Sequence, residues 1–180
     1  MALLDILVYP DPRLRRLADN VVDFNDELQL FVANMAETMY FAPGIGLAAT
    51  QVNDLRRIIC VDVSPEGNDL GVYINPEIIE KDGSQTYEEG CLSIPGVFAE
   101  VERFEHIKIR AQDTTGNSFD KEAHGLLAVC IQHEIDHLDG KVFVDYLSRL
   151  KQDRVRKRMI KEHGMEAIHY DEKAVAESSL

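Results

Sequence analysis

The sequence of 180 residues has few cysteines, no long apolar run and no recognisable export signal. Its three cysteines are too few and too irregularly spaced for a disulfide framework, and their odd number leaves at least one free thiol. No uninterrupted apolar run reaches the roughly 18 residues that a transmembrane helix needs. The opening segment MALLDILVYP lacks the basic residues of a signal peptide, and Asp5 interrupts its apolar run. These absences predict a cytoplasmic protein with no membrane partner.

Positive charge is also scarce, except in one segment. The chain has 19 lysine and arginine residues against 32 aspartate and glutamate residues, which gives a net charge of −13 at pH 7. Such an acidic body discourages non-specific contact with nucleic acid, and we expect no specific DNA binding. The segment 148–161, from Ser148 to Lys161, reverses this balance with seven basic residues and one aspartate. It indicates either a solvated helix flank that balances the acidic body or a surface that meets a polyanion.

Apolar periodicity predicts a helix near the start of the chain. Between Asn25 and Phe41 the apolar residues recur at steps of three and four, which places them on one face of a helix. Asn25 is suited to cap its N-terminus, and Pro43 followed by Gly44 would stop it. The sequence therefore indicates an amphipathic helix over 25–41.

The middle of the chain is rich in β-forming residues. Four segments are separated by turn-forming residues, namely RRIICVDV, LGVYINPEII, QTYEEGCLSI and ERFEHIKIRAQD. Several of these segments run directly into one another without an intervening helical pattern. That order favours antiparallel strands over alternating strands and helices.

Two further helices complete the predicted fold. The segment LLAVCIQHEIDHL, which follows Gly125, is apolar on nearly every side and predicts a helix buried in the middle of the domain. A basic helix over about 147–161 ends before Gly164, and we expect the tail 165–180 to be weakly ordered. The predicted fold is α+β, with antiparallel β-sheets around a buried central helix and with an N-terminal and a C-terminal helix, in one domain over 1–164.

The buried helix carries an H-E-x-x-H pattern formed by His133, Glu134 and His137. Histidines four residues apart on a helix present their imidazoles about one turn apart, a span that one divalent ion can bridge. Glu134 is displaced around the helix, where it can reach a water on the metal without binding the ion itself. The alternative is a pair of core histidines with satisfied ring N–H groups. Burying two histidines and a carboxylate is costly without a metal or a network, which favours a metal.

The pattern does not name the third ligand of such a metal. In one large group of metallopeptidases it continues as x-x-G-x-x-H, and this chain follows it as far as Gly140 before placing Phe143 at the histidine position. A thermolysin-like site would need a glutamate on a following helix, but the nearest candidate, Glu162, directly follows the basic segment and fits this role poorly. A metallopeptidase that cuts internal peptide bonds therefore fits the sequence poorly.

The cysteines are the remaining soft donors. Cys60 lies in an apolar run, and Cys130 shares the helix of the histidines, so each is interpreted first as a small core residue. Cys91 differs because it follows Gly90 in YEEGCLSIPG, a polar segment in which a compact turn can expose its sulfur. A site with two histidines, one cysteine and one open position is typical of catalysis, and its thiolate suits iron(II) as well as zinc.

A third motif, GIGLAATQ over 44–51, joins EGCLS over 89–93 and QHEIDH over 132–137. In this order and spacing the three motifs closely resemble those of the peptide deformylases. The resemblance covers nearly the whole chain, including the early YPDPRLR loop and the basic C-terminal helix of the bacterial class that carries one. It implies an enzyme that removes the formyl group from the N-formylmethionine of nascent polypeptides and releases formate.

The resemblance also implies the roles of the metal site. Cys91, His133 and His137 would bind the metal, with the fourth position open to water. Iron(II) is the expected native ion, and zinc, nickel or cobalt can take its place. Glu134 would act first as general base and then as the acid that protonates the leaving amine.

The resemblance implies two oxyanion donors, the side-chain amide of Gln51 and the backbone N–H of Leu92. Gly46 would hold the peptide backbone, and the glycines on either side of Ile45 let an extended substrate approach the main chain. The expected substrate-binding residues are Gly44, Ile45, Gly46, Leu126, Val129 and Cys130, with His133 beside them. Leu126 and Val129 could equally belong to the core.

Two positions depart from a common form of the family. Pro43 stands where many members carry an acidic residue, and Phe98 stands where arginine is frequent. The resemblance therefore extends to the chemistry but not to the peptide preference beyond methionine. Glu89 is a candidate support for the site, paired with Arg103, and the alternative is an ordinary surface ion pair. A non-catalytic module with a closed structural zinc is a further alternative, but it would have no use for Glu134.

Overall fold

The computed structural model describes residues 2–164 and 167–169, so most of the predicted tail 165–180 lies outside the described residues. The helices are α1 (Asp26–Phe41), α2 (Gly125–Leu138) and α3 (Arg149–His163). The strands are β1 (Gly46–Ala48), β2 (Ile58–Val61), β3 (Gly71–Asp82), β4 (Gln85–Cys91), β5 (Ile94–Arg103), β6 (His106–Gln112) and β7 (Ser118–His124). Short 3₁₀ helices cover Pro12–Arg15, Ala49–Val52 and Phe143–Tyr146.

The strands form two sheets in which every pairing is antiparallel. The larger sheet has five strands in the order β1, β2, β3, β6, β7, and β4 pairs with β5 in a separate hairpin. The predicted antiparallel α+β fold is therefore confirmed. Two predicted segments each cross a turn: QTYEEGCLSI runs from β4 into β5, and ERFEHIKIRAQD runs from β5 into β6.

Helix α1 forms where the periodicity predicts it. The side chain of Asn25 accepts a hydrogen bond from the backbone N–H of Leu28 at 3.0 Å and so caps the first turn. One face of the helix is buried against the sheet, through Leu28, Val32, Met35 and Met39. Full burial of each such side chain stabilises the fold by roughly 1.5–3 kcal/mol.

Helix α2 runs through the centre of the domain and packs on β1, β2 and β7. Ten of its residues are buried, among them both histidines and the glutamate of the H-E-x-x-H pattern. It begins at Gly125, whose φ of +57° lies in the left-handed region that favours glycine. The predicted buried central helix is thus observed, and it carries the candidate site into the interior.

Helix α3 lies on the surface. Its N-terminus is capped by Ser148, whose hydroxyl oxygen accepts from the backbone N–H of Lys151 at 3.3 Å, and its C-terminus ends at Gly164, with φ +60°. Met159 is the buried residue of this helix. Among the helices of the described residues, none combines the length and the apolarity needed to cross a membrane.

Two strands have no clear signal in the sequence. Strand β7 has the sequence SFDKEAH, and it closes one edge of the five-stranded sheet with Phe119 and Ala123 turned toward the core. Strand β1 comprises three residues at the opposite edge. Its position beside α2 matters most, because it places the GIGLAATQ segment against the helix that carries the histidines.

Candidate active site

The structure brings the side chains of Cys91, His133 and His137 together. One donor atom of each lies within 4.8 Å of the other two, and Cys91 Sγ is 3.3 Å from His137 Nε2. Cys91 ends β4, beside the turn that leads into β5, and the histidines project from one face of α2. A thiol and two imidazoles converging at these distances match the ligand set of a divalent transition metal.

The hydrogen bonds and the burial of the two histidines suit a metal. His133 Nδ1 lies 2.8 Å from Glu89 Oε1, which leaves its Nε2 free to face the cluster. A carboxylate behind a ring nitrogen in this way orients a metal-binding histidine. Burial lowers the pKa of His137 well below its ordinary value, so this ring is held neutral, the form that binds metals. The three residues therefore fit one divalent ion.

Glu134 lies beside the cluster with one oxygen unsatisfied. Its Oε2 is buried and has no hydrogen-bond partner within the part of the chain that the structure describes. Burial raises the pKa of this carboxyl to about 7. A buried carboxylate with a free oxygen and a pKa near neutrality has the properties of a general base.

Strand β1 approaches Glu134 closely, and a glycine makes this approach feasible. A Cβ atom at Gly46 would lie 2.6 Å from Glu134 Oε1 and 2.8 Å from Cys130 Sγ. Any side chain at this position would displace the carboxylate or the strand. Gly46 thus has a role that the sequence does not reveal, because it leaves room for the carboxylate.

Arg103 supports the site from behind. Its Nε and Nη2 donate to the two oxygens of Glu89 at 2.8 and 2.9 Å, and its Nη1 donates to Asp136 Oδ2 at 2.6 Å. The Tyr146 hydroxyl donates to the same Asp136 oxygen at 2.7 Å. The side chains of Arg103 and Glu89 are 4% and 5% exposed, so the alternative of an ordinary surface ion pair is wrong.

Both predicted oxyanion donors lie next to Cys91. The Gln51 amide nitrogen donates to Ser93 Oγ at 3.0 Å and lies 3.5 Å from Cys91 Sγ, while its oxygen accepts from the backbone N–H of Ala48 at 2.9 Å. Leu92 belongs to the turn between β4 and β5. The amide of Gln51 is therefore fixed with its donor end toward the cluster.

A cleft of about 450 Å³ opens onto the cluster. All six predicted substrate-binding residues line it: Gly44, Ile45, Gly46, Leu126, Val129 and Cys130. Val129 is also buried, so it serves the core and the cleft together. Pro43 and Phe98 also line the cleft, and the ring of Phe98 packs over the backbone of Gly90.

The comparisons with known proteins agree with this geometry. Residues 3–153 match the family model described as polypeptide deformylase. The chain belongs to this family. Peptide deformylase 1 of Burkholderia multivorans is 57% identical to it over 162 residues, which cover 89% of this chain and 90% of that protein. The peptide deformylase of Pseudomonas aeruginosa is 53% identical and covers 93% of this chain over its own full length.

Solved deformylase structures share the fold. A peptide deformylase from Legionella pneumophila is 43% identical, with a TM-score of 0.85, over 89% of this chain and 95% of its own. A peptide deformylase from Ehrlichia chaffeensis in complex with actinonin is 37% identical, with a TM-score of 0.86, over 91% of this chain and 99% of its own. Membership in the deformylase family confirms the predicted fold and the prediction of a metal-dependent deformylase.

Sequence reasoning missed several residues of this candidate site. Ser93 lies within the EGCLS motif, yet its bond to Gln51 depends on a turn that brings distant segments together. Asp136 lies inside the H-E-x-x-H pattern, and its bond to Arg103 could have been suspected from that position. Tyr146 and Ile168 have no local signal at all, because only the folded chain brings them to the network and to the cleft.

Proposed function

We propose that Cys91, His133 and His137 hold one divalent ion, with which residues 1–164 form one catalytic domain that deformylates N-formylmethionyl nascent polypeptides and releases formate. The supporting observation is the convergence of their three donor atoms within 4.8 Å. When bound, the ion would act as a Lewis acid on the formyl oxygen and on the attacking water. Iron(II) is proposed as the native ion because a thiolate ligand suits it, and zinc, nickel or cobalt would fit the same donors.

Glu134 would carry the proton of the reaction. Its unpartnered Oε2 would accept a proton from the attacking water and then return it to the nitrogen of the leaving amine. A pKa of about 7 suits both steps, because the group can accept and release a proton near neutral pH. The reaction would yield formate and a free amino terminus.

Gln51 and Leu92 would stabilise the oxyanion that forms at the formyl carbon. The Gln51 amide is neutral, so it donates without competing for the metal. Its bonds to Ser93 and Ala48 hold it in one orientation before substrate arrives, and such preorganisation strengthens transition-state stabilisation. Removal of one oxyanion donor typically costs about 3 kcal/mol.

The peptide would bind as an added strand. β1 lies at the edge of its sheet, and the cleft runs between this edge and β4. Main-chain hydrogen bonds near Gly44 and Gly46 would hold the peptide backbone, and the methionine side chain would enter the apolar pocket of Leu126, Val129 and Cys130. A formyl group carries only hydrogen beyond its carbonyl carbon, so a cramped site would exclude an acetyl group.

The reaction is tested by formate release from a formyl-Met peptide, with protein purified without oxygen and analysed for metal. Glu134→Gln should retain the metal and lose roughly 10²–10⁴-fold in kcat. Glu100→Gln, a change of an exposed carboxylate on β5, is the matched control and should keep full activity. Substantial activity in metal-loaded Glu134→Gln protein would refute the assigned base. Cleavage of an unformylated peptide would instead indicate a metallopeptidase.

The metal ligands are tested by a pair of cysteine substitutions. Cys91→Ser should lose metal affinity or change the preferred ion, whereas Cys130→Ser should keep both, because burial raises the pKa of the Cys130 thiol well above its ordinary value. Metal content is measured after equilibration with a chelator of known affinity. Equal metal content in the two variants and the parent would exclude Cys91 as a ligand.

We also propose that the segment 148–161 docks this cytoplasmic enzyme on the ribosome near emerging chains. All seven basic residues of the segment are exposed, as phosphate contacts require. The joint change Arg154→Gln, Arg156→Gln and Lys157→Gln should weaken ribosome binding at low salt and reduce its salt dependence. The matched change Lys108→Gln, Arg110→Gln and Lys121→Gln, on the β6–β7 hairpin, should leave binding unchanged. Equal binding by both triple variants would defeat the proposal.

A further inference from the structure

The chain beyond α3 returns to the body of the domain. Ile168 and Ile6 exchange two backbone hydrogen bonds, at 3.0 and 2.7 Å, in an antiparallel bridge. One residue further along, His169 Nδ1 lies 2.9 Å from Asp5 Oδ2. These contacts fix residues 167–169 against the first segment of the chain, on the side where the cleft opens.

The side chain of Ile168 contacts both the core and the cleft. It is half-buried and packs against the core cluster that contains Val8, Ile94 and Met159. The same side chain lines the cleft that opens onto Cys91 and His133, and Pro95 and Gly96 line this cleft as well. A cleft wall that begins on the β4–β5 hairpin is thus completed by a residue from beyond the last helix.

Helix α3 contacts the same wall at a second point. Arg158 Nη1 donates to the backbone oxygen of Gly96 at 3.0 Å, and a Cβ atom at Gly96 would lie 2.9 Å from Arg158 Nη2. Gly96 is itself a cleft residue, with φ +76°. Both contacts show that the C-terminal segment takes part in shaping the cleft, in addition to covering the surface.

We propose that Ile168 is a specificity-determining residue of the cleft, which contacts an apolar side chain of the formylated peptide. This inference rests on the proposed function. Apolar contact is the chemistry that an aliphatic side chain can offer, and each methylene that it shields from water adds about fourfold to binding. Ile168 is distant along the chain from the proposed metal ligands and from Glu134, and within the described residues it shares no hydrogen bond with them. A substitution of Ile168 should therefore change KM and leave kcat unaltered.

The test compares Ile168→Ala with Ile168→Leu and with Val155→Ala. Val155 packs against the same core cluster from α3 but does not line this cleft, so Val155→Ala controls for loosened packing. Formate release is measured on a formyl-Met peptide with leucines after the methionine and on one with serines. Ile168→Ala should raise KM for the leucine peptide roughly 3- to 30-fold, with kcat and metal content unchanged and a smaller rise for the serine peptide. Ile168→Leu should restore most of the loss.

Three results would overturn the inference. They are an unchanged KM in Ile168→Ala, an equal rise for both peptides, and an equal rise in Val155→Ala. The same series is repeated as equilibrium peptide binding to Glu134→Gln protein by calorimetry, which needs no turnover. If the parent protein released no formate but Ile168→Ala still weakened binding of the leucine peptide, the proposed reaction would fail and this inference would stand.

Discussion

The charged residues behind the cluster of Cys91, His133 and His137 and those of α3 are used in opposite ways. Arg103 is buried and donates to two carboxylates, those of Glu89 and Asp136. The seven basic residues of 148–161 are exposed, and within the described residues Arg158 is the one that shows an ion pair, with Glu162. The first group has its charge compensated in the interior, and the second presents its charge to solvent.

This difference separates two functions of charge. A buried ion must be compensated by partners, because its desolvation costs several kcal/mol, and those partners then fix its position closely. Because Arg103 holds Glu89 in place, the hydrogen bond between Glu89 and His133 in turn fixes the orientation of the His133 ring. Exposed charges contribute little to stability, since water and salt screen them, and so they are free for contact with another molecule.

Among substitutions in these two groups of charges, Glu89→Gln should have the largest effect on the free energy of unfolding. The change removes the main partner of a buried guanidinium and weakens the orientation of His133, so we expect a loss of about 3–5 kcal/mol in the free energy of unfolding. Metal affinity should fall by about 10- to 100-fold. Denaturant unfolding of the metal-free protein and chelator competition measure the two quantities. A loss below about 1 kcal/mol would mean that the buried network does not differ from a surface pair.

The buried network should also make stability depend on pH. Burial raises the pKa of Glu89, but hydrogen bonds from Arg103 and His133 outweigh this and hold the pKa below its ordinary value of 4.5. A depressed pKa in the folded state gives stability that is complete above the unfolded value and is lost as the pH falls through the folded value. The unfolding free energy of the metal-free protein should therefore fall more steeply below pH 4.5 than that of Glu89→Gln. Parallel curves for the two proteins would contradict the assignment.

A smaller effect is expected at the exposed end of the same network. Tyr146→Phe removes one hydrogen bond to Asp136 and keeps the ring, whose centroid lies 4.9 Å from the Arg103 guanidinium carbon. The loss in unfolding free energy should be about 1 kcal/mol or less. Metal affinity should change less than in Glu89→Gln. A larger loss of metal affinity in Tyr146→Phe than in Glu89→Gln would mean that Tyr146, and not Glu89, is the residue that holds the network in place.

The smallest effect belongs to α3. Arg156→Gln combined with Lys157→Gln should change the unfolding free energy by no more than about 0.5 kcal/mol, because both side chains are exposed. Thermal and denaturant unfolding at low and high salt provide the measurement. A cost comparable to that of Glu89→Gln would remove the distinction between the two groups of charges.

What the sequence predicts well is local. The cap at Asn25, the spacing of His133 and His137, and the β-rich segments each leave a pattern within a few residues, and the structure contains the corresponding elements. Strand β7 could not be predicted because three consecutive charged residues, 120–122, interrupt the alternation of apolar and polar positions, and β1 because three residues carry no periodicity. The positions of Tyr146 and Ile168 in the site could not be predicted for a different reason, since each contacts residues that are distant along the chain.

The cleft lies beside strand β1, at the edge of the five-stranded sheet. A strand edge that accepts a peptide can in principle accept the edge of another copy of the chain, which is how sheets grow into aggregates. Here the risk is limited, because β1 extends over only three residues. An edge of this length would suit the first residues of a nascent chain, as proposed above, and it is too short to join two folded domains.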